Sequence, residues 1–136
     1  MINLIVMTHG EFGSYLIEAA EGVVGRQEAG IVSIGISART PVDEVSRRLR
    51  KTIDELQGKS GIIIATDMPG GTPCNIAMPL ARGRADVRVL GGVNLYMLVT
   101  AFNFRKTLAL DELTEKMISA GRRSIADLNS LLAAKA

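Results

Sequence analysis

The chain has 136 residues, 47% of them hydrophobic and 22% charged, with a formal net charge of +2. This is ordinary globular usage and enough chain for one domain, 1–136, with a substantial core, which argues against disorder. The densest basic group, Arg47, Arg48, Arg50 and Lys51, sits among Asp43, Glu44, Asp54 and Glu55 without interleaved aromatics, so it reads as a solvated helix face and not as a nucleic-acid footprint.

Along the chain, short apolar runs alternate with longer stretches of helical period. Ile2 to Met7 is near-continuously apolar, as expected of a strand buried on both faces. After Thr8-His9-Gly10, a helical stripe runs from Tyr15 through Leu16, Ala19, Ala20 and Val23 to Val24, and Gly25 can end it. Ile31 to Ile36 is a second strand. Thr40-Pro41 reads as an N-cap followed by proline at the first helical position, with Val45, Leu49 and Ile53 on one helix face and Gly58 as the stop. Gly61 to Thr66 is a third strand, and Thr72-Pro73 repeats the cap-and-proline grammar. Val87 to Leu90 is a fourth strand. Helix is expected from Leu95 to about Arg105 and from Asp111 onward, including Arg122 to Ala136. Strand and helix in strict alternation predict an α/β fold, an open and mostly parallel sheet with helices on both faces.

In such sheets ligands bind beyond the carboxyl ends of the strands, where strand order reverses. That rule selects Thr8-His9-Gly10, Asp67 to Asn75, and Gly91 to Asn94. The only histidine, His9, directly follows the first strand. If strands one and three are neighbours, Asp67 lies at the same sheet edge, where a carboxylate can fix the imidazole tautomer and leave the other nitrogen as nucleophile. Alternatively Asp67 is a loop residue bonding nearby amides. Gly70-Gly71-Thr72 can bring N–H groups to an anion at a helix N-terminus, or can simply form a turn and a cap. The single cysteine, Cys74, could form a thiol–imidazole pair with His9, but free cysteines commonly just pack.

One cysteine excludes an internal disulfide and fits a reducing compartment. No cationic leader precedes the apolar start, and no apolar run reaches the length of a span. A soluble, cytoplasmic protein is expected. No metal-ligand cluster is visible, so neither a metal nor another cofactor is expected.

The start INLIVMTHG, the stretch GIIIATDMPGGTPCNIA and the segment LGGVNLYMLV together resemble the enzyme IIA domains of the mannose family of the bacterial phosphoenolpyruvate:sugar phosphotransferase system. The resemblance spans almost the whole chain, and its specificity lies in the combination. It implies a sheet of order 2-1-3-4, with a C-terminal strand exchanged across a homodimer. It also implies that His9 accepts a phosphoryl group from phospho-HPr and passes it to an enzyme IIB histidine, as a phosphotransferase component of sugar uptake. Asp67 would orient the imidazole, while Thr72 with the amides around Gly70 and Gly71 would hold the phosphoryl oxygens. No IIB-like segment follows, so that partner would be a separate chain, and contact with a membrane would be indirect, through the transporter subunits. The helical reading of Arg122 to Ala136 conflicts with an exchanged strand. A purely regulatory phosphotransfer module would share the same chemistry on His9.

Overall fold

A computed structural model describes residues 1–135. Its sheet has four parallel strands in the order β2-β1-β3-β4, the order implied by the resemblance. The strands are β1 (Asn3–His9), β2 (Ile31–Ile36), β3 (Ile62–Thr66) and β4 (Val87–Leu90). Between and after them come α1 (Phe12–Val24), α2 (Val42–Glu55), α3 (Thr72–Ala81), α4 (Leu95–Phe104), α5 (Leu110–Arg123) and α6 (Leu128–Lys135).

The central strands explain the apolar runs. Along β1, Leu4 and Val6 join one core cluster with Ala20, Leu98, Ala101, Leu113 and Met117 from α1, α4 and α5. Ile5 and Met7, which alternate with them, join a second cluster with Val45, Leu49, Ile53, Ile76 and Ala77 from α2 and α3. A strand covered on both faces has no polar side to display, so every position from Leu4 to Met7 is apolar and buried.

Both Thr-Pro caps shift by one residue relative to the sequence reading, in opposite directions. In α2 the carbonyl of Pro41, not that of Thr40, accepts the first helical N–H groups, from Glu44 and Val45, so Pro41 is the N-cap and the helix starts at Val42. In α3 the N-cap is Gly71, whose carbonyl accepts from Asn75 at 3.0 Å. Thr72 is thus the first helical residue and makes no capping bond. Proline fits the N-cap and the first three helical positions alike, because none of their N–H groups has an intrahelical partner. The dipeptide alone therefore leaves the register open.

The C-terminal segment is mainly helical as far as Lys135, Ala136 lying outside the described residues, and among the described residues no fifth strand joins the sheet. It is not one helix, however. The chain breaks after Arg123, and Asp127 starts α6 by accepting the Asn129 and Ser130 N–H groups at 3.1 and 3.4 Å.

Candidate functional site

Strands β1 and β3 are adjacent and in register, with Met7 opposite Thr66. The chain leaves β1 for β2 on one side, while β3 lies on the other, so their carboxyl ends flank the point where strand order reverses. His9 and Asp67 meet there. Asp67 Oδ2 accepts the His9 backbone N–H at 3.0 Å and lies 2.8 Å from His9 Nδ1. Asp67 Oδ1 accepts the Met68 N–H at 3.0 Å. Burial alone would raise the Asp67 pKa. The His9 backbone N–H, the His9 ring and the Met68 N–H outweigh burial and hold it below the ordinary value for an aspartate.

An ionised carboxylate only accepts, so Nδ1 must carry the proton. The neutral ring then has its lone pair on Nε2, and the imidazole is half-exposed. This is the geometry of an oriented nitrogen nucleophile, fixed by one oxygen that grips both the backbone and the ring of the same residue.

The loop after Asp67 brings a helix N-terminus against that ring. Gly70 takes φ +80°, and the Gly71 N–H donates to the Met68 carbonyl at 3.0 Å, closing a turn. A Cβ on Gly71 would stand 3.3 Å from His9 Cε1, so the backbone of Gly71 packs beside the imidazole. Because the Gly71 amide is committed to the turn, the open donors of the first turn of α3 are the N–H groups of Thr72 and Cys74, since Pro73 has none. Cys74 itself is a free, half-buried thiol.

The third segment, Gly91 to Asn94, supports the site from behind. Val93 N–H donates to the Thr66 carbonyl at 2.9 Å, and Asn94 Oδ1 caps α4 through Met97 N–H at 3.3 Å. A Cβ on Gly91 would run into Pro69, so the two loops are in close contact.

Sequence reasoning selected Thr8 only as a neighbour of His9 and missed its role. Thr8 is fully buried, and its hydroxyl accepts the Gly13 N–H at 2.8 Å. It caps α1 from the preceding strand, because Glu11 at the N-cap position makes no capping bond. A polar residue ending an apolar run, followed by a helix without a good cap of its own, was the available signal.

With that geometry in hand, comparison with known proteins is decisive. Residues 3–118 match the family model EIIA-man, the PTS system fructose IIA component. The chain belongs to the EIIA family. It is 23% identical over 124 residues to the PTS system fructose-specific EIIA component of Bacillus subtilis, covering 91% of this chain and 84% of the relative. It is 22% identical over 117 residues to the PTS system sorbose-specific EIIA component of Klebsiella pneumoniae, covering 86% and 84%. Among solved structures, the phosphotransferase system component EIIA from Streptococcus agalactiae superposes with a TM-score of 0.86 at 30% identity, covering 96% of this chain and 99% of that one. As an EIIA, the chain is a phosphotransfer component of sugar uptake, and membership implies the phosphotransfer partners HPr and EIIB. No described helix is long and apolar enough to cross a membrane.

Proposed function

We propose that the chain is a single cytoplasmic phosphocarrier domain in which His9 Nε2 takes a phosphoryl group from phospho-HPr and delivers it to a histidine of enzyme IIB. The observation that carries this reading is the double grip of Asp67 Oδ2 on the His9 N–H and Nδ1. In the forward step the Nε2 lone pair forms a bond to phosphorus as the phosphorus–nitrogen bond to the HPr histidine breaks, and that nitrogen keeps the electron pair. Asp67 stabilises the positive charge that develops on the His9 ring. Such transfers pass through a loose transition state, so the protein contributes mainly positioning and charge stabilisation.

The Thr72 hydroxyl, unused as a cap, and the N–H groups of Thr72 and Cys74 are suited to the phosphoryl oxygens, aided by the positive end of α3. Gly70 and Gly71 shape this cradle: Gly70 through its positive φ, Gly71 by letting the backbone approach His9 Cε1. The homodimer reading rests on α6 and its approach. Ile125, Leu128, Leu131 and Leu132 are 84%, 69%, 48% and 68% exposed, an apolar surface suited to a second copy.

Incubation with phosphoenolpyruvate, enzyme I and HPr, followed by mapping of acid-labile phosphate, tests the function. Label is expected on His9 alone and should vanish in His9→Ala. Persistent acid-labile label in that variant would overturn the reading.

A further inference from the structure

The opposite edge of the sheet holds an unusual cation. Arg105, immediately after α4, is 1% exposed. Its Nε donates to the Ile2 carbonyl at 2.9 Å and its Nη1 to Gln27 Oε1 at 3.2 Å. The buried Nη2 has no partner among the described residues. Both acceptors are neutral, whereas buried charges are ordinarily paired with an opposite charge. Space for this nitrogen is reserved by Gly30, where any Cβ would collide with Arg105 Nη2 and Asn3 Oδ1.

Arg105 lines a cleft of about 380 Å³, within the size range of small-molecule sites. Arg26 and Lys106 stand exposed at its mouth, and neither forms an ion pair among the described residues. Glu28 is the one carboxylate lining it; nearby Glu21 is turned to the Gln27 backbone N–H at 2.7 Å. Arg26, Arg105 and Lys106 outnumber Glu28, a balance that favours an anion such as a phosphate monoester, which carries about −2 near neutral pH. The guanidinium edge is also the side-chain shape best suited to paired phosphate oxygens.

We propose that this cleft binds a small phosphate-bearing anion, which displaces the Gln27 amide oxygen and takes the Nη1–Nη2 edge of Arg105 between Arg26 and Lys106. Gln27 holds the place of the anion with a long hydrogen bond to its neutral amide oxygen. β1 separates this cleft from His9 by six residue steps, about 20 Å, so the two sites can be occupied independently. Glu28 can accept hydrogen bonds from hydroxyl groups on the organic part of an ester.

The test is a titration of the ¹⁵N-labelled full chain with inorganic phosphate and, separately, with a hexose 6-phosphate, each against sodium chloride at matched ionic strength. Amide shifts are expected at residues 26–30 and 106, and they should persist in His9→Ala, which removes the proposed phosphocarrier nitrogen. A combined Arg26→Ala and Lys106→Ala variant should weaken binding at least tenfold. Gln27→Glu, which supplies an internal carboxylate to Arg105, should abolish the shifts and raise Tm. Equal response to both probes would assign recognition to the phosphate group alone; response only to the ester would add contacts to the sugar. Either supports the site. Silence with both probes, shifts confined to residues 9 and 67–75, equal shifts with chloride, or undiminished shifts in Gln27→Glu would overturn it.

Discussion

Helices α1 and α3 both begin at the carboxyl edge of the sheet beside His9, and their first turns are finished differently. In α1 the buried hydroxyl of Thr8 accepts the Gly13 N–H, so a side chain from the strand itself satisfies one donor of that turn and ties it to β1. In α3 no side chain caps the first turn, and the N–H groups of Thr72 and Cys74 stay open next to the imidazole. One helix start is tied to the His9 segment through Thr8; the other leaves the Thr72 and Cys74 N–H groups open beside the imidazole, as the proposed phosphoryl cradle requires. The difference is one of anchorage: the second residue of α1, Gly13, is tied to β1 through Thr8, whereas the second residue of α3 is Pro73, which has no N–H to tie.

The largest expected effect comes from the residue shared by both halves of the comparison. Asp67→Asn keeps the shape but removes the charge that stabilises imidazolium, so transfer from phospho-HPr should slow by about 10–10⁴-fold, the range for losing an orienting or acid–base group. Stability adds a pH signature. Because the folded pKa of Asp67 is depressed, its contribution is present above the unfolded value and is lost as pH falls through the folded one. The Tm gap between wild type and Asp67→Asn should therefore be full at neutral pH and close in acid. A gap that stays constant down to the acid limb, or a wild-type transfer rate, would reduce Asp67 to a loop residue.

Thr72→Ala sharpens the comparison from the open side. Since Thr72 is the first helical residue and caps nothing, its loss should leave Tm nearly unchanged while transfer falls by about tenfold, in line with one lost hydrogen bond to a charged group. A drop in Tm with normal transfer would make α3 no different from α1.

Thr8→Val tests the closed side and should give the smallest change in chemistry. It removes the cap on Gly13 at almost constant volume and should cost about 1–2 kcal/mol of stability. Phosphotransfer at temperatures well below Tm should stay within a few fold of wild type. Unchanged stability would mean that α1 needs no cap from the strand.

These loops also show where sequence reasoning reaches and where it stops. Strands β2 and β4 were legible to the residue, because each is a short run rich in β-branched residues bounded by turn signals such as Gly30 and Gly91, even though Ser33 and Arg88 interrupt the apolar pattern on these two outer strands. His9 and Asp67 were legible as a pair only once β1 and β3 were taken as neighbours, an adjacency that the resemblance to enzyme IIA implied and that periodicity alone left open. The helix starts were not. Thr40-Pro41 and Thr72-Pro73 carry the same signal, yet the first lies ahead of its helix and the second lies inside it. What decides is the preceding turn, closed in α3 from Gly71 N–H to the Met68 carbonyl around Gly70 at positive φ, and the Thr-Pro dipeptide does not encode that turn. The same turn takes the Gly71 amide, so the donors at the site belong to Thr72 and Cys74. The break before α6 was hidden as well: the apolar spacing runs on through Ile125, and only the cap at Asp127 marks the restart.

The central claim is that Asp67 holds Nδ1 so that phosphoryl chemistry occurs at Nε2. It is tested most directly by NMR of the protein labelled with ¹⁵N in its single histidine, after phosphorylation from phosphoenolpyruvate through enzyme I and HPr. A phosphorus–nitrogen coupling at Nε2, with Nδ1 still protonated, is the predicted result. Phosphate on Nδ1, or on any residue other than His9, would contradict the account.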